Sequence, residues 1–236
     1  MALKHKAHKE TLEVGTSDEW NDNHIADFSS SVVLYEDFVT PAITTKWDLT
    51  QGGAGVAAVI TFQDHHSLVK IDSGANDTDW SAMRYEFNGA AGNMTYIANN
   101  PIMTMAVWMD AYAATDEVAE FGLQNNAVAP FTANQDGAYF LINGNALFAV
   151  TGTGAAETTT DITPVGGIPE YGVYRIELTA ATCKFYVDDM DVIAATHTNN
   201  FPDSDLTMSF AVRNDGDTKA EMYVDGVGLE RARYTG

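Results

Sequence analysis

From residue 31 onward, hydrophobic and polar positions alternate mostly with a period of two, and each alternating run ends in a turn signal. Residues 31–38, 56–62, 83–87, 103–109, 120–123, 138–142 and 146–150 read as strands, followed by 174–178, 206–213 and 220–230. Between them, 184–194 reads as a strand, a tight acidic turn and a second strand. Gly-Gly at 52–53, Asn-Gly at 88–89, Asn-Asn-Pro at 99–101 and Asn-Gly-Asn at 143–145 supply the residues that tight turns require. The runs flanking Asn143-Gly144 form the clearest hairpin. No stretch keeps a 3.6-residue period beyond two turns, and 113–119 is the one candidate for a short helix. Short strands at spacings of about 12 residues predict an all-β chain folded as an antiparallel two-sheet sandwich.

Residues 1–30 break this pattern. Lys4, Lys6 and Lys9, with His5 and His8, form a basic patch that nothing later in the chain repeats. Val14 to Ile25 then carries Trp20 and Ile25 as lone apolar anchors among Gly, Ser, Asp and Asn. Such a segment cannot bury a core of its own. It predicts an extended N-terminal arm, residues 1–30, that lies on another surface, ahead of a sandwich domain at 31–236. A 236-residue chain is within reach of a single sandwich core. The first residues lack an apolar h-region, so no signal peptide is expected, and no apolar run is long enough for a bilayer-spanning helix.

Charge narrows the partners. Thirty-three acidic residues against twelve basic ones give a net charge of −21. A surface of that sign repels phosphate backbones and anionic lipid, so neither nucleic acid nor membrane insertion is expected. Cation binding is compatible with it. Acid-rich loops at 72–79, 188–191 and 215–217 offer hard oxygen ligands, and Asp215 and Asp217 are the candidate calcium pair. None has EF-hand spacing, and tight turns use Asp for their own backbone reasons. No other cofactor is expected. The single cysteine, Cys183, excludes an intrachain disulfide and sits in a strand-like run, where an inert thiol is expected.

Three kinds of site residue remain. Hydrolysis of a glycosidic bond uses two carboxylates on one face. Glu117 and Glu120 have the wrong spacing for an E-x-D-x-x-E strand and read as a solvated acidic turn entering a strand. His65 and His66 follow Asp64, but adjacent residues of a strand point to opposite sides, so they read as a polar loop. No G-x-S-x-G elbow occurs. These absences predict a protein without catalytic residues. Trp47, Trp80 and Tyr112 lie beside polar loops and are the candidates for stacking on a sugar, whereas Trp108, in a continuous apolar run, is expected in the core.

The strand Tyr174-Arg175-Ile176-Glu177-Leu178, the hairpin beginning Phe185-Tyr186-Val187-Asp188, the loop at Pro202 and the closing Tyr223-Val224-Asp225-Gly226-Val227 resemble the concanavalin A-like and laminin-G-like jelly rolls. The resemblance spans about residues 31–233. It implies a curved sheet containing the first two of these strands, and a closing strand paired near the N-terminal one. Lectins, glycosidases and adhesion modules share that fold. Separately, Val14-Gly15-Thr16-Ser17-Asp18-Glu19-Trp20-Asn21-Asp22-Asn23-His24-Ile25 is similar to a G-x-S-x-W-N-x-x-H segment near the start of tail, fibre and accessory virion proteins of tailed viruses, departing from it with Asp18-Glu19 ahead of Trp20 and Asp22-Asn23 between Asn21 and His24. Asn21 and His24 belong to that match. Together the two resemblances imply a virion component, such as a capsid decoration, turret or tail fibre. Its arm would dock on other virion proteins, and its sandwich would be displayed as a homo-oligomer with access to host-surface glycans. It would be assembled in the host cytoplasm. The alternative is a free carbohydrate-binding, lectin-like module.

Overall fold

The structure is a computed structural model, and it describes residues 26–28, 31–36, 47–53, 68–85, 100–109, 117–125, 127, 129–216 and 219–232. Every regular element among them is a β-strand. They are β1 (Ala26–Phe28), β2 (Ser31–Glu36), β3 (Trp47–Gly52), β4 (Val69–Asp72), β5 (Trp80–Tyr85), β6 (Ile102–Met109), β7 (Glu117–Gln124) and β8 (Gly137–Asn143). The chain continues with β9 (Ala146–Gly152), β10 (Glu157–Asp161), β11 (Tyr171–Leu178), β12 (Cys183–Val187), β13 (Ala195–His197), β14 (Thr207–Asn214) and β15 (Glu221–Ala232).

The strands form two antiparallel sheets. One has eight strands in the order β1-β2-β15-β6-β11-β12-β13, with β4 also paired to β15; the other has seven, β10-β9-β8-β7-β14-β5-β3. This is the jelly-roll sandwich expected from the alternation. The closing strand pairs with the N-terminal one as the resemblance implied, with Leu229 opposite Leu34. The hairpin at Asn143-Gly144 joins β8 and β9, where Gly144 takes the positive φ of 57° that such a turn needs. Ala26–Phe28, at the end of the segment read as an arm, pair with β2.

Alternate residues of each sheet point between the layers. From the seven-stranded sheet come Phe121, Leu123, Phe140, Ile142, Met208 and Phe210; Met103, Met105, Val107, Tyr174, Ile176 and Phe185 meet them from the other. Phe140 contacts Tyr174 and Phe185 edge-on, with ring centres 5.1 and 5.3 Å apart, which clasps the two sheets at mid-height.

Several expectations change here. Residues 117–119 belong to β7 and not to a helix. Trp47 is no loop aromatic: it is 2% exposed at the start of β3, edge-to-face with Tyr85 at 5.1 Å, and so filled with core contacts that no sugar can replace. Trp108 is the reverse case. Met105, Val107 and Met109 of β6 point inward, so Trp108 stands on the outer face, half-buried. The strand expected at 56–62 lies outside the described residues, as do His65 and His66.

Candidate functional site

The outer face of the seven-stranded sheet carries what the core excludes. Phe121 and Leu123 of β7 point inward, so Glu120 and Gln124 point outward. Register places Glu120 beside Ala211 of β14, which lies beside Ala82 of β5 and then Thr50 of β3. The next row runs Gly122, Ser209, Arg84, Asp48. Ala82, Ala211, Gly122 and Ser209 are small, so the middle of the face is low between larger side chains, and all four are buried. Gly122 is required there: its φ is +150°, and a Cβ would fall 2.7 Å from the Ala138 carbonyl oxygen and from the Tyr139 Cα. At one rim Trp80 lies against Gly52, where a Cβ would meet its indole within 2.0 Å. At the other, Arg213 lies 4.8 Å from the ring centre of Phe131.

Glu120 is the centre of this face. It is 4% exposed, and one carboxylate oxygen accepts the Phe131 backbone N–H at 3.0 Å and the Gln124 Nε2 at 3.1 Å. Gln124 Nε2 also donates to Gln135 Oε1 at 3.2 Å. Burial pushes the Glu120 pKa up to about 7, against the opposing pull of these hydrogen bonds and of Arg213 and Arg84. Burial likewise lowers Arg84, opposed by Glu120 and Asp48. Four polar atoms around this face lack a hydrogen-bond partner among the described residues: Gln124 Oε1, Gln135 Nε2, Ser209 Oγ and Thr50 Oγ1. Unsatisfied buried polar atoms are costly.

The reading of Glu117 and Glu120 as a solvated acidic turn is therefore corrected. Both lie in β7 and both are buried, at 3% and 4% exposure. The sequence signal was present as a five-residue E-x-x-x-Q with hydrophobic residues between, which puts Glu120 and Gln124 on one face of a strand. An acidic pattern search passes over it because the second member is an amide. Asp48 is the other carboxylate along these rows, and strand spacing puts it roughly 16 Å from Glu120 at the backbone. That exceeds the separations of about 5–9.5 Å used by paired glycosidase carboxylates.

Of the other candidate residues, Trp80 reaches the rim of this face, partly exposed. Trp47 does not, and Tyr112 lies outside the described residues. The arm residues Lys4, Lys6, Lys9, Trp20, Asn21, His24 and Ile25 lie outside them too. Of the candidate calcium pair, Asp215 accepts Arg213 Nε at 2.5 Å and Nη2 at 2.6 Å through its two carboxylate oxygens, and Asp217 is not among the described residues. Among the described residues no group of three or more His, Cys, Asp or Glu could hold a metal ion. Asp189 is a turn residue, its side chain accepting the Asp191 N–H at 2.9 Å. Cys183 is fully buried, and burial raises its thiol pKa, as an inert strand cysteine requires.

No protein-family model matches the chain, and no curated protein sequence matches it. Solved structures do. A protein of unknown function from Shewanella oneidensis has a TM-score of 0.58 at 10% identity, with 96% of this chain and 98% of that chain covered. The catalytic domain of an endo-1,3-β-glucanase (laminarinase) from Thermotoga petrophila has a TM-score of 0.57 at 13% identity, covering 85% and 97%. A pseudo β-1,3-glucanase of Mycobacterium tuberculosis has a TM-score of 0.59 at 11% identity, covering 85% and 98%. These likenesses bear on the sandwich; they give no support to a viral origin, which rests on residues 14–25 alone. They overturn the expectation of a protein without catalysis, because glycoside-hydrolase structures, an enzyme's catalytic domain among them, have this same fold. The chain has the concanavalin A-like jelly-roll architecture of β-glucanases and of a pseudo-glucanase.

Proposed function

We propose that this protein binds carbohydrate, taking a neutral glycan chain across the outer face of the seven-stranded sheet. The observation that carries the reading is a row of small residues between the Glu120–Gln124 polar cluster and the Trp80 indole at the rim. A pyranose offers an apolar ring face to the aromatic and hydroxyls to the polar groups. The β-1,3- and β-1,3-1,4-glucanases among the similar structures favour laminarin and mixed-linkage glucan as first ligands. Isothermal titration of both on the wild-type protein and on Trp80→Ala tests it. Saturable binding weakened by the substitution is expected; no binding to any neutral glycan, or equal affinity of the two proteins, would overturn it.

A second reading is favoured by the burial of the Glu120 carboxyl group among Gln124, Arg84 and Arg213, which pushes its pKa up to about 7. A carboxyl group that is half protonated near neutrality is suited to general acid catalysis on a glycosidic oxygen. Reducing-end release from the same glucans, abolished in Glu120→Gln, would establish hydrolysis. Binding without release would leave the first reading alone.

The opening segment extends the proposal. The basic patch at Lys4, Lys6 and Lys9 and the Trp20–Ile25 stretch support a tether to other virion proteins, with the sandwich displayed as an oligomer. Because Ala26 pairs in the sheet, a deletion of residues 2–24 removes the arm without cutting the fold. The truncated protein should melt like the full chain and fail to co-sediment with particles that carry it.

A further inference from the structure

The outer face of the eight-stranded sheet carries a second aromatic arrangement. Gly172, Val107 and Met222 mark the inward-facing positions of β11, β6 and β15. Tyr171, Trp108 and Tyr223 therefore share the outer face, and register puts them in one row, continued by Lys70 of β4. Trp108 and Tyr223 stack at 4.7 Å between ring centres, and Lys70 lies 5.8 Å from the Tyr223 centre. Tyr171 and Trp108 lie one strand gap apart, about 5 Å, and Tyr223, 3% exposed, backs Trp108 from the next strand.

Two features distinguish this row from aromatics that merely cover a sheet. Tyr171 is 51% exposed, one of few large hydrophobic residues so open among those described. Both exposed rings are also held by carboxylates: the Trp108 indole N–H donates to Glu170 at 3.3 Å, and the Tyr171 hydroxyl donates to Asp225 at 3.1 Å. Half-exposed rings do not need such tethers to pack, but a stacking surface gains from them because the rings do not have to be ordered on binding. The floor beside the row is Val173 and Ala106, one residue pair along the same strands' outer face, and beyond it stand Arg175 and Tyr186. Val173 and Ala106 are shorter than the aromatic row on one side and than Arg175 and Tyr186 on the other.

We propose that Tyr171 and Trp108 form a second saccharide-binding surface, on the opposite side of the sandwich from Glu120, that holds a neutral polysaccharide chain. Charge selects the occupant. Glu170, Asp225 and Glu177 border this surface, and the whole chain carries −21, so a polyanion is repelled while neutral hydroxyls find acceptors. An apolar protein partner would strip solvent from those carboxylates at a cost in free energy.

The test uses the full chain and soluble neutral glucan in affinity electrophoresis, comparing wild type with Trp108→Ala, Tyr171→Ala and Trp80→Ala. Each of the first two should weaken polymer binding about three- to tenfold, the loss of one ring contact. Their melting temperatures report folding, and Tyr171→Ala, at an exposed position, serves if Trp108→Ala unfolds. Retardation unchanged in both variants overturns the proposal, whether or not Trp80→Ala weakens binding. Loss in Trp80→Ala alone leaves only the proposed function standing; loss in Tyr171→Ala alone leaves only this surface. Binding of a trimethylammonium probe by wild type, without any glucan retardation, also overturns it by assigning the row to cations.

Discussion

Replacing Glu120 by Gln keeps the shape of the side chain and removes its charge. In the folded protein its pKa stands at about 7, against an ordinary carboxylate value of 4.5, because burial disfavours the anion. The folded state thus holds a proton that the unfolded state releases between these two pH values. The unfolded chain binds fewer protons there, so stability falls as pH rises from 4.5 to 7 and the loss is complete above 7. A shift of about 2.5 units corresponds to roughly 3 kcal/mol. In Glu120→Gln this loss should be absent. The amide oxygen still accepts from Phe131 N–H and Gln124 Nε2, so the substitution leaves the hydrogen bonds in place. Urea unfolding of both proteins between pH 4 and 8.5 measures the difference. The two should be about equally stable near pH 4, and the variant should be more stable by up to about 3 kcal/mol near pH 8. A difference that does not change with pH, or a variant less stable than wild type at pH 8, would refute the placement of a buried, protonatable carboxyl on this face.

Other substitutions follow from the packing. Trp47→Ala should cost about 3–5 kcal/mol of unfolding free energy, because the ring fills the core against Tyr85 and Phe210. Its effect on glycan affinity, measured on the folded fraction, should be small. Gly122→Ala should destabilise by at least about 2 kcal/mol, since its backbone conformation and the Ala138 carbonyl leave no room for a methyl group; thermal melting checks it. His197 bridges the two sheets, its Nδ1 2.9 Å from Thr151 Oγ1 and its Nε2 3.0 Å from Thr160 Oγ1. Burial lowers its pKa, so the unfolded state takes up the proton first, and stability should fall as pH drops below about 6.5. His197→Gln should remove that part of the acid sensitivity, visible as a smaller difference in melting temperature between pH 7 and pH 5.

Much of the fold was legible because local and tertiary demands agree. The β8–β9 hairpin has a type-specific turn and alternating flanks, and β11 alternates cleanly because only one of its faces is packed. The strands that escaped detection are those whose sequence serves something other than a hydrophobic face. Trp47-Asp48-Leu49-Thr50-Gln51-Gly52 has polar residues turned toward the outer face, and it reads as a loop. Edge strand β10, Glu157-Thr158-Thr159-Thr160-Asp161, is exposed along most of its length. The same physics hid the site. Glu120 and Gln124 interrupt an apolar run, and local sequence cannot tell a buried polar residue from a solvated one when the neighbouring strands that bury it are distant in the chain. Trp47 and Trp80 look alike beside their turns, and only the register of β3 on β5 sends one into the core and the other to the rim. Trp108 was misplaced because a run of apolar residues conceals its own alternation.

A structure of the protein soaked with a neutral β-glucan oligosaccharide shows directly where sugar binds. A sugar lying over Ala82, Ala211 and Gly122 is expected, with hydroxyls in hydrogen-bond contact with Glu120, Gln124 or Ser209. An oligosaccharide ordered elsewhere on the molecule while that face holds only solvent would contradict it.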